Sequence, residues 1–322
     1  MSILVVIIAI IGITAVVFTV TPVPASLLMR KLFEKPNLAE PDGYSDIESR
    51  VTVYRDIEYK SDFSDNKLDM YLPANMEDKH PIVLWVHGGA YVGGDKGDIL
   101  YYSTALSSEG YAVISMNYQR APEAKYPVPI VQIGEVYSWI LSVAEEFSLD
   151  VEKLVLAGDS AGAHSVSIFS LIQTNPEYSN EIGIEALVPK EHIKGQLLYC
   201  GPFDVEMVGN VRGVFGFMLS KAGWAYFGSK NWAEEYNRIA TVRYHVTEEY
   251  PSTFITDSNT ASFEGHGKDF VGQLESVNVR VESYFIPIEE EKTMHEYQFL
   301  MDTPSGRECY KRTVQFLEEI VK

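Results

Sequence analysis

The sequence predicts an α/β fold: a mostly parallel β-sheet with helices on both faces. Three observations carry that expectation. Continuous apolar runs such as Pro81–Val86 and Tyr111–Met116 have the character of strands covered on both sides. They alternate with stretches of helical spacing, as in Ile130, Ile133, Val136, Trp139, Ile140 and Val143. Finally, the run Leu154–Ala157 leads into Gly158-Asp159-Ser160-Ala161-Gly162, and a helix-compatible stretch from Ala161 to Gln173 follows. A serine on such a tight turn needs small neighbours two positions away on each side, because the backbone crowds itself there. The helix N-terminus then points partial positive charge at an anion forming beside the serine.

The chain opens with an uncharged run, Ile3 to Val20, at the lower limit of a transmembrane helix. Neither basic residues before it nor a small-x-small site after it marks a cleaved signal, so residues 1–25 are expected to be an uncleaved single-pass membrane anchor. Arg30, Lys31 and Lys35 follow directly and place the globular part on the cytoplasmic side. Residues 26–49, with Pro36, Pro41 and Gly43, read as a linker, and 50–322 as one catalytic-size domain. Within it, Val51–Tyr54 with Ile57–Tyr59, and Lys67–Leu72, are expected to form an antiparallel opening pair. Gly195–Cys200, Thr253–Thr256 and Val279–Phe285 supply the later strands, and Phe263–Val277 and Gly306–Val321 the later helices. The long, aromatic-rich connection of about 205–250 is expected to be a cap.

Charge and cysteine usage exclude several functions. A net charge of −19 repels phosphate backbones, so nucleic acid is not an expected partner. Cys200 and Cys309 make no disulfide framework, and no Cys/His ligand spacing appears, so neither a metal nor another cofactor is expected.

The chemistry-bearing residues are ordered along the chain. His87-Gly88-Gly89-Ala90 follows the third strand, and its side-chain-poor backbone can approach an oxygen closely. The oxyanion hole is drawn from Gly88, Gly89, Ala90 and Ala161, with the N–H groups of Gly89, Ala90 and Ala161 as donors, while His87 braces the loop. With Asn117-Tyr118-Gln119-Arg120-Ala121-Pro122-Glu123 and Gly-Asp-Ser-Ala-Gly, this set resembles the hormone-sensitive-lipase-like branch of the α/β-hydrolase superfamily, from about Lys67 to the C-terminus. The resemblance implies an eight-stranded sheet, a triad in the order serine, acid, histidine, and a cap over the site.

Seven histidines compete for the base: His80, His87, His164, His192, His245, His266 and His295. The resemblance favours His295, which follows the last strand within His295-Glu296-Tyr297-Gln298-Phe299. The acid departs from the family pattern, which would put it at Thr260 or Ala261. Glu264, one helical turn on, is the first substitute, Asp257 the second, and Asp204 or no acid the remaining options. Asp159 is expected to be structural. The sequence therefore reads as a membrane-anchored serine hydrolase that cleaves small-molecule carboxylic esters of short to medium acyl chain, without cofactor. The alternative, prompted by the missing acid, is a catalytically degenerate hydrolase acting as a membrane-associated binding protein.

Overall fold

The computed structural model describes residues 12, 16–34, 38–74 and 79–321. Eight strands form one sheet in the order β1-β2-β4-β3-β5-β6-β7-β8. They are β1 Val51–Glu58, β2 Lys67–Pro73, β3 His80–Val86, β4 Ala112–Met116, β5 Leu149–Asp159, β6 Ile193–Tyr199, β7 Thr253–Asp257 and β8 Val281–Phe285. β1 and β2 make the expected antiparallel pair and β2 joins β4 antiparallel; every later pairing is parallel.

The apolar runs conceal a period of two. On β3, Ile82, Leu84 and Val86 enter one core and Val83 and Trp85 the other. The first core is closed by α4 (Val128–Val143), α5 (Ala161–Thr174) and α11 (Glu264–Ser276), through residues such as Ile133, Phe169 and Phe270. The second is closed by α3 (Leu100–Ser108) and α12 (Pro304–Ile320), through Tyr102, Leu106, Phe316 and Leu317. α3 has no helical signature in the sequence, because it buries Ser103, Thr104 and Ser107 beside its apolar residues and so lacks an amphipathic stripe.

Register aligns the strand ends. Val86 of β3 pairs with Gly158 of β5 and with Met116 of β4, Asp159 with Tyr199 of β6, and Asp257 of β7 with Phe285 of β8. The loops after β3, β5, β6, β7 and β8 therefore open on a single edge, the carboxyl edge where open α/β sheets hold their sites. Between β6 and β7 the chain inserts α7 (Val205–Asn210), α8 (Gly213–Phe227) and the short α9 (Trp232–Glu235) and α10 (Asn237–Ala240).

The N-terminal expectation is corrected. No helix among the described residues is long and apolar enough to cross a membrane, and most of the run Ile3–Val20 lies outside the described residues. The helix that follows, α1 (Val23–Leu32), has ten residues, carries Arg30 and Lys31, and buries Ala25, Ser26 and Met29 against the folded body. At 1.5 Å per residue it is about 15 Å long, half the ~30 Å of a bilayer core. The cytoplasmic placement rested on that anchor and falls with it. The stretch expected as a linker holds most of α1 and also α2 (Tyr44–Glu48).

Candidate active site

β5 delivers Ser160 into a backbone that L-residues rarely adopt, φ +48° and ψ −117°. Both flanking glycines are required. A Cβ on Gly162 would lie 1.9 Å from the Val86 carbonyl oxygen, and one on Gly158 would lie 2.6 Å from the Gly162 carbonyl carbon. The Ser160 N–H donates to the Tyr199 carbonyl at 2.7 Å, which ties the turn to β6. Ser160 Oγ stands 3.1 Å from His295 Nε2.

The loop after β3 turns through positive φ at Gly89 (+101°), Ala90 (+52°) and Tyr91 (+62°). The N–H groups of Gly89 and Ala90, and that of Ala161 at the start of α5, have no hydrogen-bond acceptor among the described residues. They are free to meet an oxyanion. Gly88 is corrected: its N–H already donates to Asp159 Oδ2 at 2.8 Å. Asp159 also accepts from Trp85 Nε1 at 2.8 Å, so its buried carboxylate clamps the loop to the serine turn. His87 stacks on Tyr118 at 4.5 Å, and burial pushes its pKa down to about 4, as suits a brace. His164, also lowered by burial to about 4, links Tyr91 Oη (2.9 Å) to the Ala240 carbonyl (2.7 Å) and so joins loop, α5 and cap.

The far side of the imidazole holds a residue absent from the sequence reading. His295 Nδ1 lies 2.6 Å from Ser262 Oγ, and Ser262 donates in turn to Asp257 Oδ1. Asp257 closes β7, is 1% exposed, and is pushed up to about 6 by burial, against the Ser262 hydrogen bond and the charge of His295. Burial lowers the His295 pKa, partly offset by Asp257. Glu264, the first-choice acid, is corrected: as the first residue of α11 it pairs with Lys268 at 3.0 Å along the helix, and the bond to His295 Nδ1 is made by Ser262. Asp204 caps α7 through Met207 N–H (2.9 Å) and pairs with Arg243 at 2.7 Å. Glu296 brings Oε1 to 3.5 Å from His295 Nε2, and burial raises its carboxyl to about 7. Cys200, Asp257 and His295 offer ligand atoms within 4.8 Å of one another. Two of the three are already joined through Ser262, and burial raises the pKa of the Cys200 thiol.

Two cavities meet at Ser160. The larger, about 380 Å³, is walled by Met29 and Phe33 of the N-terminal segment, Phe215 and Met218 of α8, and His295 and Glu296. The smaller, about 40 Å³, lies behind Ala161 and is lined by Val205, Val208, Ala222, Phe227 and Trp232. Arg30 fixes the N-terminal wall by donating from Nε to the Val92 carbonyl and from Nη2 to the Ala121 carbonyl, both at 2.7 Å, while pairing with Glu123.

Comparison with known proteins agrees with this architecture. The chain is 29% identical over 118 residues to esterase LipC of Mycobacterium tuberculosis, covering 36% of this chain and 29% of that protein. It is 32% identical over 112 residues to the versiconal hemiacetal acetate esterase of Dothistroma septosporum, covering 34% of each. The aligned part spans about a third of the length of the curated relatives it matches. The fold is similar to esterase B from Lactobacillus rhamnosis, with a TM-score of 0.75, 18% identity and 88% of both chains covered. The BD-FAE family model matches residues 68–263, more than half of the sequence, and the chain belongs to that family.

Proposed function

We propose that the protein is a serine hydrolase that cleaves carboxylic esters of small molecules through an acyl-Ser160 intermediate. The observation that carries the reading is the 3.1 Å approach of His295 Nε2 to Ser160 Oγ, opposite three unengaged backbone donors. Ser160 Oγ attacks the ester carbonyl carbon while its proton passes to His295 Nε2. The carbonyl oxygen, now carrying the negative charge, accepts from the N–H groups of Gly89, Ala90 and Ala161. Collapse breaks the bond to the alcohol oxygen, which takes the proton from Nε2. Water, deprotonated by the same nitrogen, then attacks the acyl carbon and releases acid and free Ser160.

The two cavities suggest how the substrate divides. His295 lines only the larger one, so the leaving alcohol belongs there, within reach of Nε2. The smaller, apolar cavity is left for the acyl chain. At about 10–15 Å³ per water-sized group, its volume of about 40 Å³ suits about three carbons beyond the carbonyl. The binding-protein alternative was prompted by a missing acid, and the connection from His295 through Ser262 to Asp257 removes that motive.

A series of p-nitrophenyl esters tests the reading. Turnover is expected to be best from acetate to about butyrate, to fall on longer chains, and to vanish in Ser160→Ala. Undiminished turnover in that variant would contradict it.

A further inference from the structure

We propose that Ser262 is a positioning residue that transmits the Asp257 charge to His295, making the working chain Asp257–Ser262–His295–Ser160. The inference rests on the ester hydrolysis proposed above and adds a fourth member to it.

The argument begins with hydrogen counting. A serine hydroxyl has one proton to donate. Ser262 gives it to Asp257 Oδ1, the acceptor-only carboxylate, so its Oγ meets His295 Nδ1 with a lone pair, and Nδ1 must carry the proton. Neutral imidazole holds one N–H, so Nε2 is left unprotonated toward Ser160 Oγ, the tautomer a general base requires. Once Nε2 takes the Ser160 proton, the imidazolium keeps its Nδ1 proton, because the Ser262 hydroxyl already donates to Asp257. Its charge is met by a hydrogen bond to Ser262 that Asp257 polarises.

Among the described residues no other acid is bonded to that nitrogen. Glu264 is engaged by Lys268 and Asp204 by Arg243, while Glu296 stands beside Nε2, the opposite side of the ring. The turn carrying Ser262 is also built to hold it. Asn259 Nδ2 donates to the Ile286 and Glu291 carbonyls at 3.0 and 2.7 Å, and Asn259 Oδ1 accepts from Thr293 N–H at 3.1 Å. Thr260 bridges to Met294, directly before His295. Ala261 then takes φ +50°, a left-handed step that non-glycine residues rarely adopt. The stapled loop thus fixes Ser262 and His295 relative to each other.

The test compares Ser262→Ala, Ser262→Thr, Asp257→Asn and the double variant Asp257→Asn/Ser262→Ala, with p-nitrophenyl acetate from pH 5 to 9. Ser160→Ala is the control for the hydrolase reading itself. Ser262→Ala and Asp257→Asn are each expected to lower kcat about 10²-fold with KM within about 3-fold, since removing an orienting acid costs rate rather than binding. Both should move the acid limb of kcat/KM to lower pH. The double variant should be within about 3-fold of the worse single one, because the two act as a unit, and Ser262→Thr should recover at least 10-fold over Ser262→Ala. Ser262→Ala with wild-type kcat and an unmoved pH profile, or single losses that multiply in the double variant, would overturn the proposal while leaving the hydrolase reading intact. Should Ser262→Ala fail to fold, the double-variant comparison is replaced by Ser262→Thr against Asp257→Asn. Full activity in Asp257→Asn would then overturn it.

Discussion

Ser160 works because the residues on either side of it are nearly absent. Gly162 lets the turn press against β3, and its replacement by alanine would drive a methyl group to 1.9 Å from a backbone oxygen that cannot move away. Gly162→Ala is therefore expected to cost at the upper end of single substitutions, about 3–5 kcal/mol, measured by urea unfolding; a loss under about 1 kcal/mol would contradict the packing described. At this scale the sequence is informative where chemistry forces residue types. Ser160, His87-Gly88-Gly89-Ala90 and His295 are legible because the turn, the loop and the position after the last strand each demand them. The acid was legible only in part: Asp257 stood among the candidates, but second to Glu264. The orienting contact comes from Ser262, a residue with no charge, which follows the left-handed step at Ala261. Gly88 looked like part of the oxyanion hole because composition cannot tell that Asp159 already holds its N–H.

Among the elements, the cap decides what enters. Trp232 of α9 packs on Gly223 and stacks on Phe227 at 5.6 Å, closing the small cavity behind Ala161. Shortening it opens that end to longer chains. Trp232→Leu is expected to raise kcat/KM for p-nitrophenyl octanoate relative to acetate by about 10-fold, the worth of added apolar contact in such a pocket. An unchanged ratio would move the acyl chain to the other cavity. The strands were legible because both their faces are apolar, and the cap from its length and aromatic content. α1 was not, since its value lies in long-range contacts: Arg30 reaches the loops after β3 and β4, and Met29 reaches the larger cavity. Hydropathy alone could not distinguish a helix lying on the body from the tail of an apolar run.

For the whole molecule, the acids around the site tie stability to pH. Burial holds Asp98 and Glu296 up at about 7 and Asp257 at about 6, so the folded state keeps protons that the unfolded chain releases near pH 4. Their stabilising contribution is full below about pH 4 and is lost progressively as pH rises from there to 6–7. The buried histidines His87, His164 and His266, lowered to about 4, act in the opposite sense: they favour the folded state at neutral pH and lose that contribution as pH falls from 6.5 toward 4. The net charge of −19 adds repulsion on the alkaline side. Between pH 4 and 6 the two sets offset each other, and above about 6.5 only the losses remain, so thermal unfolding is expected to show a Tm that changes little from pH 4.5 to 6.5 and falls toward pH 8.5. A Tm that climbs steadily to pH 8.5 would contradict this charge distribution.

The most direct measurement is the mass of the protein after exposure to a fluorophosphonate, followed by peptide mapping. The account predicts one adduct, on Ser160, with labelling slowed by at least about 10³-fold in His295→Ala. An adduct on another residue, or labelling of Ser160 that proceeds at the same rate without the imidazole, would contradict it.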